Sequence, residues 1–160
     1  MNYPYLPAHK TYAECLEAVK DKGAFLYYVP NAHKTKELCL EAVNQEGCAL
    51  AFVPRDLRTP ELCGAAIMQD GWALGSVPRT LQTYEFWLTA VRQQGYALFL
   101  IGAEYRTPEL CLAAVQNNGW ALEHVPEDLK TPEVCLAAVS QVPGAIGHSP
   151  YSILELMSLA

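Results

Sequence analysis

Five of the six cysteines in this 160-residue chain share one register: Cys15, Cys39, Cys63, Cys111 and Cys135 are separated by multiples of 24 residues, and Cys48 lies outside it. Thiolates at a regular spacing could hold zinc or close disulfides. Geometry opposes both. Successive helices of a stack sit about 8–10 Å apart, whereas a disulfide needs Cα atoms within about 7 Å. A tetrahedral zinc site draws its sulfurs to about 2.3 Å from one ion, and a ladder of thiols cannot converge in that way. No Cys-x-x-Cys pair is present, and Trp87 takes the cysteine register in the fourth copy, which suits an apolar slot. Free cysteine is among the most buried residue types. The expectation is a file of reduced thiols used as small hydrophobes, with no metal.

The histidines and glycines offer no better chemistry. His9 and His33 share a register with Leu57, Leu81 and Leu129, while His124 and His148 share another. There is no His-Glu-x-x-His, no Gly-x-Ser-x-Gly and no Gly-x-x-x-x-Gly-Lys. Catalysis requires a nucleophile, a base and an orienting group to converge. No such set can be read here, so neither catalytic residues, nor a cofactor, nor an enzyme is expected.

The frame that positions these residues is a repeat. Thr11, Thr35, Thr59, Thr83, Thr107 and Thr131 are 24 residues apart without insertion or deletion. Ala18, Ala42, Ala66, Ala90, Ala114 and Ala138 follow in step, as do Gly23, Gly47, Gly71, Gly95 and Gly119. A fixed period in this range marks a solenoid, in which each unit buries its face against its neighbours. Thr107, Pro108 and Glu109 read as N-cap, first helical residue and an acid beside the positive helix end. Thr11 and Glu14 have the spacing of a capping box. The glycine register is the expected helix stop, in the left-handed conformation common there. Over 35–47, Leu38, Cys39, Leu40, Ala42 and Val43 span an arc of about 200°, wider than an ordinary surface helix needs and suited to a helix between two copies of itself.

The second half of each unit, as in "GWALEHVPEDLK", predicts a short second helix that stops before the proline, then a turn whose leucine points inward. The reading is an all-α solenoid of 24-residue two-helix repeats with terminal caps. A leucine-rich-repeat-like α/β horseshoe, with "LCLAAV" as a strand, is the alternative. The expected organisation is a single repeat domain over 1–160. Residues 1–10 form the N-terminal cap. Complete repeats occupy 11–34, 35–58, 59–82, 83–106 and 107–130. A degenerate repeat spans 131–150, and a cap helix spans 151–160, opened by Ser152 and Glu155.

The unit "ELCLAAVQNNGWALEHVPEDLK" resembles the bacterial repeat family catalogued as domain of unknown function 4116, over about residues 11 to 150. The resemblance rests on the period, the Ala-Ala-Val before the glycine and the Ala-Leu after it. It implies helical tandem repeats and carries no activity or catalytic residues. The chain departs from the pattern at Ile101-Gly102-Ala103, where the Val-Pro of other units is lost, and in the sixth unit.

Registers that vary between units point to function, because stacking does not fix them. The residue after the glycine reads Ala24, Cys48, Trp72, Tyr96, Trp120 and Gly144. Four residues further on stand Tyr28, Phe52, Ser76, Leu100, His124 and His148. Large aromatics confined to central units suit a binding ridge, since Trp and Tyr dominate interface hot spots. The candidate protein-binding residues are Trp72, Tyr96 and Trp120, flanked by Tyr28, Phe52, Leu100 and His124. The bland alternative is that these rings cover the second helix. Lys10, Lys34, Arg58, Arg106 and Lys130 precede the threonine, with Gln82 as the exception, and Glu37, Glu61, Glu85, Glu109 and Glu133 follow it. A solvated edge is expected of them, and an electrostatic docking edge is the sharper alternative.

The apolar content of 51% supports a real core, and the net charge of -6 argues against nucleic-acid or anionic-membrane partners. No basic leader precedes an apolar run and no long apolar span occurs, so a cytoplasmic protein is expected. The function expected is protein binding, as an inhibitor or immunity-type partner of another protein, for which a basic protein suits the charge. A multi-partner scaffold or chaperone-like adaptor is the alternative.

Overall fold

The computed structural model describes residues 11–158. The N-terminal cap expected at 1–10, with His9 and Lys10, lies outside the described residues, as do residues 159 and 160. The helices are α1 (Tyr12–Asp21), α2 (Lys36–Gln45), α3 (Pro60–Gln69), α4 (Tyr84–Gln93), α5 (Pro108–Asn117), α6 (Pro132–Gln141) and α7 (Ile153–Ser158). The fold is an all-α repeat solenoid. No strand occurs among the described residues, so the horseshoe alternative fails and "LCLAAV" lies in a helix.

Local chemistry starts every repeat. The Thr11 side chain and the Glu14 carboxylate form the expected capping box. Thr35, Thr59, Thr83, Thr107 and Thr131 each accept from the backbone N–H three residues on, at 3.2–3.4 Å. Pro60, Pro108 and Pro132 take the first helical turn, where a missing N–H costs nothing. Ser152 and Glu155 cap α7 reciprocally, with the Ser152 N–H on Glu155 Oε2 at 2.7 Å and the Glu155 N–H on Ser152 Oγ at 3.3 Å.

The second half of each repeat is tighter than an α-helix. It is a six-residue 3-10 helix: Gly23–Tyr28, Gly47–Phe52, Gly71–Ser76, Gly95–Leu100, Gly119–His124 and Pro143–His148. In the first five repeats a three-residue 3-10 turn follows, such as Arg55–Leu57. With about three residues per turn, positions three apart lie on one face. Gly47, Leu50 and Val53 are buried in this way, as are Gly119, Leu122 and Val125. Leu57, Leu81 and Leu129 of the turns are half-buried. In the fourth repeat Ile101 takes the valine position and is buried, while Gly102, at φ -55 and ψ 142, reproduces the conformation of Pro78, at φ -54 and ψ 135. Losing that Val-Pro therefore leaves the path of the chain unchanged.

The glycines stop nothing by a left-handed turn. The helix ends one residue earlier, at an extended C-cap such as Asn118 (φ -146, ψ 110), whose N–H bonds the Ala114 carbonyl. Glycine is required because the next repeat comes so close. A Cβ on Gly23, Gly47, Gly95 or Gly119 would lie 2.2–2.4 Å from the carbonyl oxygen of Ala42, Ala66, Ala114 or Ala138 respectively. The sixth repeat puts Pro143 in this register.

Contacts divide the chain into two compact units at a repeat boundary, Met1–Gln82 and Thr83–Ala160. In the first, α1 packs on α2 and α2 on α3, with their 3-10 helices stacked alongside. In the second, α4, α5 and α6 repeat the arrangement, and α7 packs on α6. The first helix of each unit carries a tyrosine whose hydroxyl reaches the next threonine cap: Tyr12 to Thr35 and Tyr84 to Thr107, both at 3.3 Å.

The cores are lined by Leu38, Cys39, Ala42 and Val43 and by the matching residues of α3 and α5, whereas the first repeat has the exposed Glu14 of the capping box in the leucine position; Cys15, Cys39, Cys63, Cys111 and Cys135 are fully buried. Burial holds the Cys39 and Cys111 thiols up at about 11. The apolar arc is narrower than the sequence suggests, because Leu40 is exposed. Trp87 is too large for the cysteine slot and is half-buried, tilted against Tyr105 at 4.9 Å. Tyr105 occupies the register of the turn leucines, so both substitutions fall in the fourth repeat.

Candidate functional site

The basic register is not the solvated edge expected. Arg58 is half-buried and donates from Nε to the Val53 carbonyl (3.0 Å), from Nη2 to Ala51 (3.2 Å) and from Nη1 to Ser76 in the next repeat (2.6 Å). Lys34 reaches the Phe52 carbonyl at 3.0 Å, and Arg106 reaches Ile101 at 2.8 Å and His124. Phe52, Ser76 and His124 are the last residues of their 3-10 helices. Helix ends leave carbonyls without partners and favour cations. These side chains therefore clamp one repeat to the next, and burial lowers the pKa of Lys34, Arg58 and Arg106. Lys130, also buried, pairs with Glu127 at 2.6 Å. Glu37, Glu61, Glu85, Glu109 and Glu133 remain exposed.

The register after the glycine opens each 3-10 helix. The C-cap side chain fixes it in two repeats: Asp70 Oδ1 accepts the Trp72 N–H at 3.0 Å and Asn118 Oδ1 accepts the Trp120 N–H at 3.1 Å. Trp72 is 40% and Trp120 is 44% exposed, whereas Tyr96 is half-buried. In the second unit these rings lean onto the following repeat. Tyr96 lies edge-on to His124, with ring centroids 4.6 Å apart, and its hydroxyl donates to Glu123 Oε2 at 3.1 Å. Trp120 lies edge-on to His148 at 6.2 Å, and its Cη2 sits 2.9 Å from where a Cβ on Gly144 would be. Gly144 thus makes room for the indole.

Of the flanking residues, Tyr28 is exposed, and Phe52, Leu100 and His124 are half-buried. The structure brings Tyr96 and His124 together, and it joins Tyr28 and Phe52 through Tyr27. The Tyr27 ring is 4.9 Å from Tyr28 and 5.2 Å from Phe52, steeply inclined to both. Phe99, the counterpart of Tyr27, lies 5.8 Å from His124. Sequence reasoning missed Tyr27 and Phe99, although their register, Tyr27, Ala51, Gly75, Phe99 and Glu123, varies as much as those that were chosen. His124 Nε2 is buried without a hydrogen-bond partner. Desolvation lowers its pKa; Glu123 works against the shift, and Arg106 and His148 add to it.

A cavity of about 410 Å³ opens in the first unit, lined by Lys22, Ala24, Phe25, Tyr27, Tyr28 and Phe52. Among the described residues, no group of three or more His, Cys, Asp or Glu is placed to hold a metal ion. No helix among them is long and apolar enough to cross a membrane.

A repeat of one α-helix and two 3-10 segments, stacked through glycine, defines this as an all-α tandem-repeat protein. The family model described as Domain of unknown function (DUF4116) matches residues 15–58 and 107–154. These segments cover more than half of the chain, and the chain belongs to that family. Comparisons with curated proteins and with solved structures find no match.

Proposed function

We propose that this is a non-enzymatic, protein-binding repeat module whose contact surface is built from the 3-10 helices. The observation that carries the reading is the exposure of Trp72 and Trp120 at the same repeat position, each opening a 3-10 helix with its N–H held by the side chain of the preceding C-cap residue, Asp70 or Asn118. Stacking makes no demand for a ring there, since Ala24, Cys48 and Gly144 occupy the register elsewhere. Rigid, half-exposed indoles are the side chains that most often anchor interfaces. The acidic balance of 17 Asp and Glu against 11 Lys and Arg supports a basic partner, and the particular form of the proposal is an inhibitor of one such protein.

The test begins with capture of the partner from the native cell. Trp120→Glu should then abolish capture with little change in thermal stability, because the indole leans on an exposed glycine and a half-buried histidine. If Trp120→Glu unfolds the protein, or binds as before, the indole is packing and the surface lies elsewhere.

A further inference from the structure

The repeats display what fits between successive 3-10 helices. Around His124 two rings gather, Tyr96 at 4.6 Å and Phe99 at 5.8 Å. Phe52 is the same position three repeats earlier. There Tyr27 does what Phe99 does, at 5.2 Å, but the counterpart of Tyr96 is Ala24. A methyl group stands in place of a phenol, and the space is open as the cavity of about 410 Å³. Both the residue that would carry the missing ring, Ala24, and the residue that it would cover, Phe52, line this cavity. Its size falls in the range of about 300–1,000 Å³ typical of ligand sites.

The rim is distinctive too. The helix C-cap is Lys22 here, but Glu46, Asp70, Gln94, Asn118 or Val142 in the other repeats. Lys22 is the one formal charge on the cavity lining. The nearby Glu46 carboxylate accepts the Ala24 N–H at 3.1 Å. An ammonium beside an aromatic slot complements a guest that carries a ring and an adjacent negative charge.

We propose that the cleft between Gly23–Tyr28 and Gly47–Phe52 binds an aromatic side chain of a partner protein, seated over Phe52 as Tyr96 is seated over His124, with a neighbouring partner carboxylate on Lys22. This deepens the protein-binding reading and rests on it.

The test uses the full chain, labelled with nitrogen-15, titrated with N-acetyl-L-tryptophan and with its uncharged amide. Saturable shifts should be confined to the amides of residues 22–28 and 52. The acid should bind several-fold more tightly than the amide, and Lys22→Gln should erase that preference. Ala24→Trp should fill the slot and weaken binding at least tenfold. Tyr96→Ala should open the second unit's slot and add a new set of shifts around His124, a result that stands even if Ala24→Trp folds poorly. Absence of saturable shifts, shifts centred elsewhere, or binding unchanged in Ala24→Trp would overturn the proposal. So would the same shifts arising from protein concentration alone, which would make a second copy the occupant. Trp120→Glu should leave the probe shifts intact, so failure of the cleft and failure of the Trp120 surface give separate signatures.

Discussion

Phe52 in the first unit and His124 in the second occupy the same repeat position, yet one faces an open cavity and the other a filled one. The frame around them is the same. Each ends a six-residue 3-10 helix, each receives a ring from the register of Tyr27 and Phe99, and each has its carbonyl held by a cation from the preceding repeat, Lys34 or Arg106. What differs is the residue after the glycine, Ala24 in one and Tyr96 in the other. The lesson is that stacking and surface are governed by separate registers. Glycine, held against the alanine carbonyl of the next repeat, sets how closely repeats approach, and the neighbouring register is left to decide whether a cleft is empty or occupied.

The largest expected effect breaks the frame that both sites share. Gly119→Ala places a Cβ 2.4 Å from the Ala138 carbonyl oxygen, a backbone atom. Overpacking against backbone should cost about 3 kcal/mol or more, seen as loss of the cooperative melt. For Gly144→Ala the three nearest atoms all belong to the Trp120 indole, which can swing aside, so it should be far milder; equal damage from both would refute the glycine-contact account. Next in size is Cys111→Ser, which puts a hydroxyl in a fully buried apolar slot and should destabilise by about 1–3 kcal/mol in chemical denaturation. The same burial predicts that a thiol reagent at mild alkaline pH modifies Cys48, the exposed cysteine, well before the five buried ones.

Tyr96→Ala sharpens the comparison by converting the second site into the first. It removes the ring nearest His124 and should let water reach the imidazole, so the His124 pKa should climb toward its ordinary 6.5; an unchanged NMR titration would mean that Tyr96 does not shield it. The smallest effect is on pH dependence. The fold favours neutral His124 because burial disfavours the charged form, so the folded pKa lies below the unfolded one. Its contribution to stability is present above pH 6.5 and is lost as pH falls through the lowered folded value. Thermal melts of the wild type should therefore weaken more across that window than those of His124→Gln, and parallel curves would show the histidine to be uninvolved.

The period, the helix starts and the file of thiols were legible in the sequence because each is a local or strictly periodic signal. A threonine caps the N–H three residues away, proline fits the first turn, and a register that alternates cysteine with little else is an apolar slot. The 3-10 character of the second half was also latent in the spacing of Gly47, Leu50 and Val53, three residues apart, but a leucine and valine at that spacing fit an α-helix equally well. The role of the glycines was not legible. A left-handed stop and a close approach both select glycine, and only the distance to the Ala42, Ala66, Ala114 and Ala138 carbonyls separates them. The basic register was misread for a related reason: a lysine or arginine column looks solvent-facing until the carbonyls that it reaches, 18 residues on in Phe52, Ser76 and His124, are brought beside it. The sequence by itself determined the unit and its repetition, because caps and apolar registers act within a turn or two of helix. Only the tertiary structure decided what lies between units, because the cleft at Ala24 and the filled slot at Tyr96 are each made by two repeats meeting, and no single repeat contains that information.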